Sequence, residues 1–136
     1  MRALIHDTFG DPAEVLHVAD VETPEPGPGE VRVRTVLASI HNHDLWTIRG
    51  TYGFKPELPA RSGTEAVGVV DAVGEGVTTL QPGQRVVTGG TFGVWAEYFV
   101  APAAALEFGT NVLQQARNSG ANIGMMAAII GEQHIA

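Results

Sequence analysis

Residues 30–40, EVRVRTVLASI, alternate: Val31, Val33, Thr35 and Leu37 point one way, and Arg32, Arg34 and Val36 the other. Successive strand side chains face opposite sides, so this spacing predicts a strand with one buried face and one partly wet face, as in an antiparallel sheet. A looser alternation runs through AEVLHVADVET (13–23), with Val15, His17 and Ala19 on one face and Leu16, Val18 and Asp20 on the other. RALIHD (2–7) reads as a first short strand, GTEAVGVVDAVGEGV (63–77) as a long one, and QRVVTGG (84–90) and WAEYFVAP (95–102) as two more. PEPGPGE (24–30), with three prolines and two glycines, breaks any regular element and predicts an extended turn. The period changes at NHDLWTIRG (42–50), where Leu45, Trp46 and Ile48 suit a short helical turn, with Asn42 as N-cap and Gly50 as stop. No stretch before residue 108 has the spacing of a long helix. Many short strands with Gly/Pro turns predict a mainly β fold, a barrel or a sandwich.

The length, 136 residues, suffices for one domain with a real core. The net charge of −7, with a single lysine and seven scattered arginines, argues against nucleic acid as a partner, because phosphate binding needs clustered cations. Without cysteine there is neither a disulfide framework nor a thiolate metal site. No apolar run approaches the ~20 residues of a membrane span. The expectation is a cytoplasmic protein with no membrane partner.

Candidate chemistry gathers at ASIHNHDLW (38–46), where His41, His43 and Asp44 sit within four positions. A metal site, a proton relay and a merely polar loop are all open on spacing alone. VGEGVTT (73–79) holds a G-x-G after a strand. Thr79 stands where a third glycine would be and LQPG cannot open a helix, so a phosphate cradle is not expected there. TGGTFG (88–93) is followed by strand-like residues and is set aside for the same reason.

PEPGPGEVRVRTVLAS, GTEAVGVVDAVGEGVTTLQPGQRVV and GVWAEYFVAP occur in that order. Together they resemble the N-terminal GroES-like catalytic domain of the medium-chain dehydrogenases/reductases, which include zinc alcohol dehydrogenases and zinc-free quinone oxidoreductases. The resemblance covers about residues 1–106 and implies a partly open β-barrel with short helices. Local chemistry agrees: Gly68 lies mid-strand, where a missing side chain allows close approach, and Gly74 and Gly76 bracket a turn around Glu75. In the resembled family the nicotinamide cofactor sits on a following Rossmann domain. No such unit is recognisable here, so stable NAD(P)H binding and turnover by this chain alone are not expected.

The resemblance also places the opening motif at the active-site loop. His41 stands where the zinc enzymes have a cysteine, and Thr64, within Gly63-Thr64-Glu65, where they have a histidine. His41, His43 and Glu65 are an incomplete donor set for catalytic zinc, so no zinc is expected. The implied reading is a zinc-independent reductase pocket. His43 corresponds to the proton-relaying threonine or serine, and an imidazole is suited to donating a proton near neutral pH. His41 would hydrogen-bond a substrate carbonyl. Asp44 would orient an imidazole or cap the following turn. Glu65 would be a supporting partner or a buried acid paired with Arg49 or Arg61. Trp46, Tyr52 and Phe54 would line an apolar substrate pocket or serve as core; Trp95, Tyr98 and Phe99 are expected in the core or on a sheet face. His6 and His17 are expected as cross-strand surface residues, and His134 near a mobile end.

The tail, residues 107–136, departs from the family. NVLQQAR (111–117) predicts two helical turns, and IGMMAAII (123–130) is apolar throughout. The expectation is that this segment docks on its own β body or on a second copy, forming a homo-oligomer. Two functions remain open: the catalytic/substrate domain of a truncated oxidoreductase, or a stand-alone β-barrel module for binding or assembly that uses the apolar tail, residues 123–130, as its interface.

Overall fold

The computed structural model describes residues 1–88 and 90–108. The expected helical turns at 111–117 and the apolar segment 123–130 lie outside the described residues.

The element order is β1 (Arg2–His6), α1 (Pro12–Val15), β2 (His17–Asp20), β3 (Glu30–Ala38), α2 (Asn42–Arg49), β4 (Ala60–Arg61), β5 (Ala66–Val73), β6 (Arg85–Thr88), β7 (Tyr98–Pro102), a 3₁₀ turn (Ala103–Ala105) and β8 (Glu107–Phe108). Two antiparallel sheets form, one ordered β2-β1-β4 and the other β7-β3-β5-β6-β8. The barrel is only partly open because one segment bridges the sheets. Leu4 N–H donates to the Trp95 carbonyl (2.9 Å) and Glu97 N–H to the Arg2 carbonyl (3.1 Å), while Thr35 N–H donates to the Glu97 carbonyl (2.9 Å).

The core lies on the inner face of the larger sheet, with Val31, Val33, Val70, Val86, Phe99 and Ala101, closed by Leu80, Val94 and Leu106. Each fully buried valine contributes about 1.5–3 kcal/mol. Gly68 is where close approach is needed: a Cβ there would lie 2.3 Å from Val33 Cγ1 and 2.5 Å from the Arg34 carbonyl. In the turn beyond β5, Gly76 takes a positive φ of 81°, whereas Gly74 is required for space, its Cβ position being 1.9 Å from the Gly27 carbonyl. On the wet face Arg32 donates to Asp71 (2.8 Å) and Glu25 (2.9 Å), tying the Pro/Gly turn to the sheet.

Four expectations are corrected. The first half of 13–23 is a helical turn rather than strand, because the Asp11 side chain caps it through Ala13 N–H (3.0 Å) with Pro12 in the first turn. Leu37, expected on the buried face, is 52% exposed. The pairing of β3 with β5 shifts between Thr35 and Leu37, and an extra residue in one strand turns those that follow to the other face. His6 is buried rather than on the surface: β1 is the middle strand of its sheet, and His6 Nδ1–H donates to the Thr8 carbonyl (3.0 Å). Helix α2 is N-capped by His41, not Asn42, since the Asp44 carboxylate accepts His41 N–H (2.8 Å) and starts the helix one residue earlier. Gly50 ends α2 as expected, at φ 79°.

Candidate active site

Strand pairing builds the site. β3 and β5 run antiparallel with Ala38 opposite Ala66, and Ser39 N–H donates to the Glu65 carbonyl (3.1 Å). That register sets Ser39 and His41 beside Thr64 and Glu65. The first turn of α2 then carries His43 and Asp44 over the same spot. The Trp95 indole N–H donates to the Ser39 carbonyl (3.0 Å) and fixes the loop from below.

Two hydrogen-bonded groups result. In the first, His41 Nε2 meets the Glu65 carboxylate and Ser39 Oγ (3.0 Å), and Ser39 Oγ also reaches Glu65 Oε2 (3.2 Å). Both His41 and Glu65 are well exposed. In the second, His43 Nε2 lies 2.7 Å from Thr64 Oγ1, which donates to Asp44 Oδ1 (3.0 Å). Asp44 is buried at 3% exposure. A buried carboxylate is costly unless hydrogen-bonded. Here His41 N–H, the Thr64 hydroxyl and the N-terminal end of α2 all face it. The His41 and His43 rings stack nearly parallel, 5.0 Å apart with an 18° interplanar angle.

An aromatic shelf continues from these rings. His43 and Tyr52 are 6.1 Å apart and Tyr52 and Trp46 6.3 Å, whereas Phe54 forms a separate pair with Phe92 at 4.8 Å. Trp46, Tyr52 and Phe54 are all exposed, so they are not core.

The expected residues therefore lie side by side as two hydrogen-bonded groups, His41 with Glu65 and His43 with Thr64 and Asp44, with Tyr52 and Trp46 alongside. Asp44 caps α2 and also touches His43 indirectly, through Thr64. Glu65 is neither buried nor paired with Arg49 or Arg61; it faces His41 and Ser39 instead. Sequence reasoning missed Ser39, Trp95 as the loop's support, and Phe92. Ser39 is signalled only by standing two residues before His41, and Phe92 only by its place in TGGTFG.

The donor set does not fit catalytic zinc. His41 Nε2 and His43 Nε2 are each directed at protein partners, and among the described residues no group of three or more His, Cys, Asp or Glu converges on one point.

The alcohol dehydrogenase GroES-like domain family matches residues 27–108. The chain belongs to this family. It is 38% identical to human mitochondrial enoyl-[acyl-carrier-protein] reductase over 125 residues, covering 90% of this chain and 34% of that protein. It is 35% identical to the quinone oxidoreductase of Lama guanicoe over 102 residues, covering 74% of this chain and 31% of that one. The crystal structure of Escherichia coli quinone oxidoreductase complexed with NADPH superimposes with a TM-score of 0.75 at 25% identity, covering 88% of this chain and 41% of that chain. The chain thus spans about a third of the length of these curated relatives. Among the described residues no helix is long and apolar enough to cross a membrane. The human relative's name places that protein in mitochondria, so the relatives do not support the cytoplasmic expectation.

Proposed function

We propose that this GroES-like domain forms the substrate-binding, proton-handling face of a zinc-independent NAD(P)H-dependent oxidoreductase acting on a flat conjugated carbonyl compound, a quinone or an enone. The observation that carries this reading is the His43–Thr64–Asp44 hydrogen-bonded chain opening beside the Trp46–Tyr52 shelf. NADPH accompanies the related E. coli enzyme, and the half-buried His43 ring beside the exposed Tyr52 suits a flat nicotinamide ring. When bound, that cofactor supplies a hydride.

This chain's own residues do the rest. Tyr52, Trp46 and Phe54 hold the flat substrate and exclude water from one of its faces. His41, held on the rim by Glu65 and Ser39, shapes the mouth of the site. His43, as imidazolium, gives a proton from Nδ1 to the substrate oxygen, since its Nε2 is occupied by Thr64. We propose that the part of this domain in the reaction is to bind and protonate the substrate. The alternative, a stand-alone assembly module, draws on the exposed Val36 and Leu37 of β3 and Ile40 just beyond it. Titrating the full chain with benzoquinone or an enal, read by tryptophan fluorescence, tests the main reading. Saturable binding weakened by His43→Ala and Trp46→Ala is expected. No binding, together with concentration-dependent self-association lost on Leu37→Ser, would favour the module.

A further inference from the structure

His43 Nε2 is 3.6 Å from Asp44 Oδ1, too long for a hydrogen bond, and the Thr64 hydroxyl lies between them. A threonine hydroxyl has one hydrogen to give. Thr64 gives it to the Asp44 carboxylate, which when ionised can only accept. Thr64 Oγ1 must then accept from His43, so the imidazole carries its hydrogen on Nε2. Among the described residues His43 Nδ1 has no hydrogen-bond partner, which leaves it as the nitrogen available to a ligand. Asp44 is itself held in place, its second oxygen accepting His41 N–H at the start of α2.

We propose that Asp44 is a positioning residue that acts through Thr64 to fix the tautomer and ring orientation of His43, so that Nδ1 faces the substrate. A carboxylate commonly orients an imidazole directly, as in hydrolase triads and metal sites. In this chain a hydroxyl relays the effect. The direction of the relay follows from Asp44 being buried and otherwise satisfied, because a reversed Thr64 hydroxyl would leave Asp44 Oδ1 without its donor. The geometry also explains why threonine serves at position 64: the side chain must accept from one neighbour and donate to the other, which a hydroxyl does and a valine of the same shape does not.

This inference rests on the proposed function for the meaning of Nδ1, but the tautomer stands apart from turnover. The test is nitrogen-15 and proton NMR of the imidazole groups in the full chain. In the unaltered protein the neutral His43 ring is expected as the Nε2–H form, with that proton protected from exchange. Thr64→Val is expected to speed its exchange about tenfold, the scale of one lost hydrogen bond, and to leave the His41 signals unchanged. Thr64→Ser is expected to restore protection. A His43 ring with its hydrogen on Nδ1 in the unaltered protein would overturn the proposal whether or not any variant folds. So would equal exchange in the valine and threonine forms. If instead the tautomer holds but His43→Ala leaves substrate binding intact, the proposed function fails and the positioning role survives.

Discussion

Gly63 opens the Gly63-Thr64-Glu65 triplet, and Gly63→Ala is the sharpest test of how the site is supported. Two penalties meet there. The backbone has φ +91°, which an L residue adopts at a cost of about 1–2 kcal/mol. A Cβ would also lie 2.3 Å from Trp95 Cδ1 and 2.6 Å from its Nε1. Trp95 cannot retreat as a unit, because its carbonyl accepts Leu4 N–H (2.9 Å) and its N–H donates to the Ser62 carbonyl (3.0 Å). The ring must swing against the core, an overpacking cost of about 1–3 kcal/mol. It then loses its bond to the Ser39 carbonyl, about 1 kcal/mol more. The expected destabilisation is about 3–6 kcal/mol, a drop in melting temperature of roughly 12–24 °C for a domain of this size. Gly76→Ala is the control, since it has φ +81° with nothing within 4 Å and isolates the backbone cost. It should lose only about 1–2 kcal/mol, or roughly 4–8 °C. Thermal unfolding followed by circular dichroism compares the two. Equal losses would refute the packing of Trp95 under the loop. A Trp95→Leu change that costs less in the Gly63→Ala background than alone would support it.

Three other outcomes are expected. Asp44→Ala removes two charge-assisted hydrogen bonds at 2.8 and 3.0 Å, partly offset by no longer burying a charge; urea unfolding should show a loss of about 2–4 kcal/mol. Arg2 holds the Glu97 carboxyl below its ordinary value, first through a side-chain hydrogen bond, so their pairing stabilises above the usual carboxylate range and is lost as pH falls through Glu97's folded value. Melting temperatures of Arg2→Ala and the unaltered protein should therefore differ slightly at about pH 7 and converge as the pH falls below the usual carboxylate range, with the difference reduced by salt. Trp46→Ala, at a half-exposed position, should change stability by less than about 1 kcal/mol while weakening quinone binding about tenfold, measured by calorimetric titration.

The parts legible in the sequence are those where one local rule acts alone. The alternation of β3 placed Val31 and Val33 inward, and both are fully buried. Gly50 stopped α2, and the mid-strand Gly68 marked close backbone contact. The failures are competitions between rules. At Leu37 a bulge overrode the alternation. At 13–16 the Asp11–Pro12 cap overrode a loosely strand-like pattern. His6 is polar in a short strand-like stretch, and only the central place of β1 in its sheet accounts for its burial.

The site divides in the same way. Spacing puts His41, His43 and Asp44 near one another, but it does not say which groups meet, because Thr64 and Glu65 arrive from the segment before β5, twenty or more residues along the chain. Only the register of β3 against β5 decides that His41 faces Glu65 while His43 faces Thr64. This separation matters chemically. The exposed carboxylate of Glu65 is taken up by the rim histidine, and the buried one of Asp44 reaches the inner histidine only through a hydroxyl. A one-residue slip in that register would turn the β5 side chains to the opposite face of the sheet and carry the Gly63–Glu65 triplet out of line with the two histidines. The bulge after Thr35 is therefore part of the site's construction: the extra residue in β3 sets which residue of the Gly63–Glu65 triplet each histidine meets.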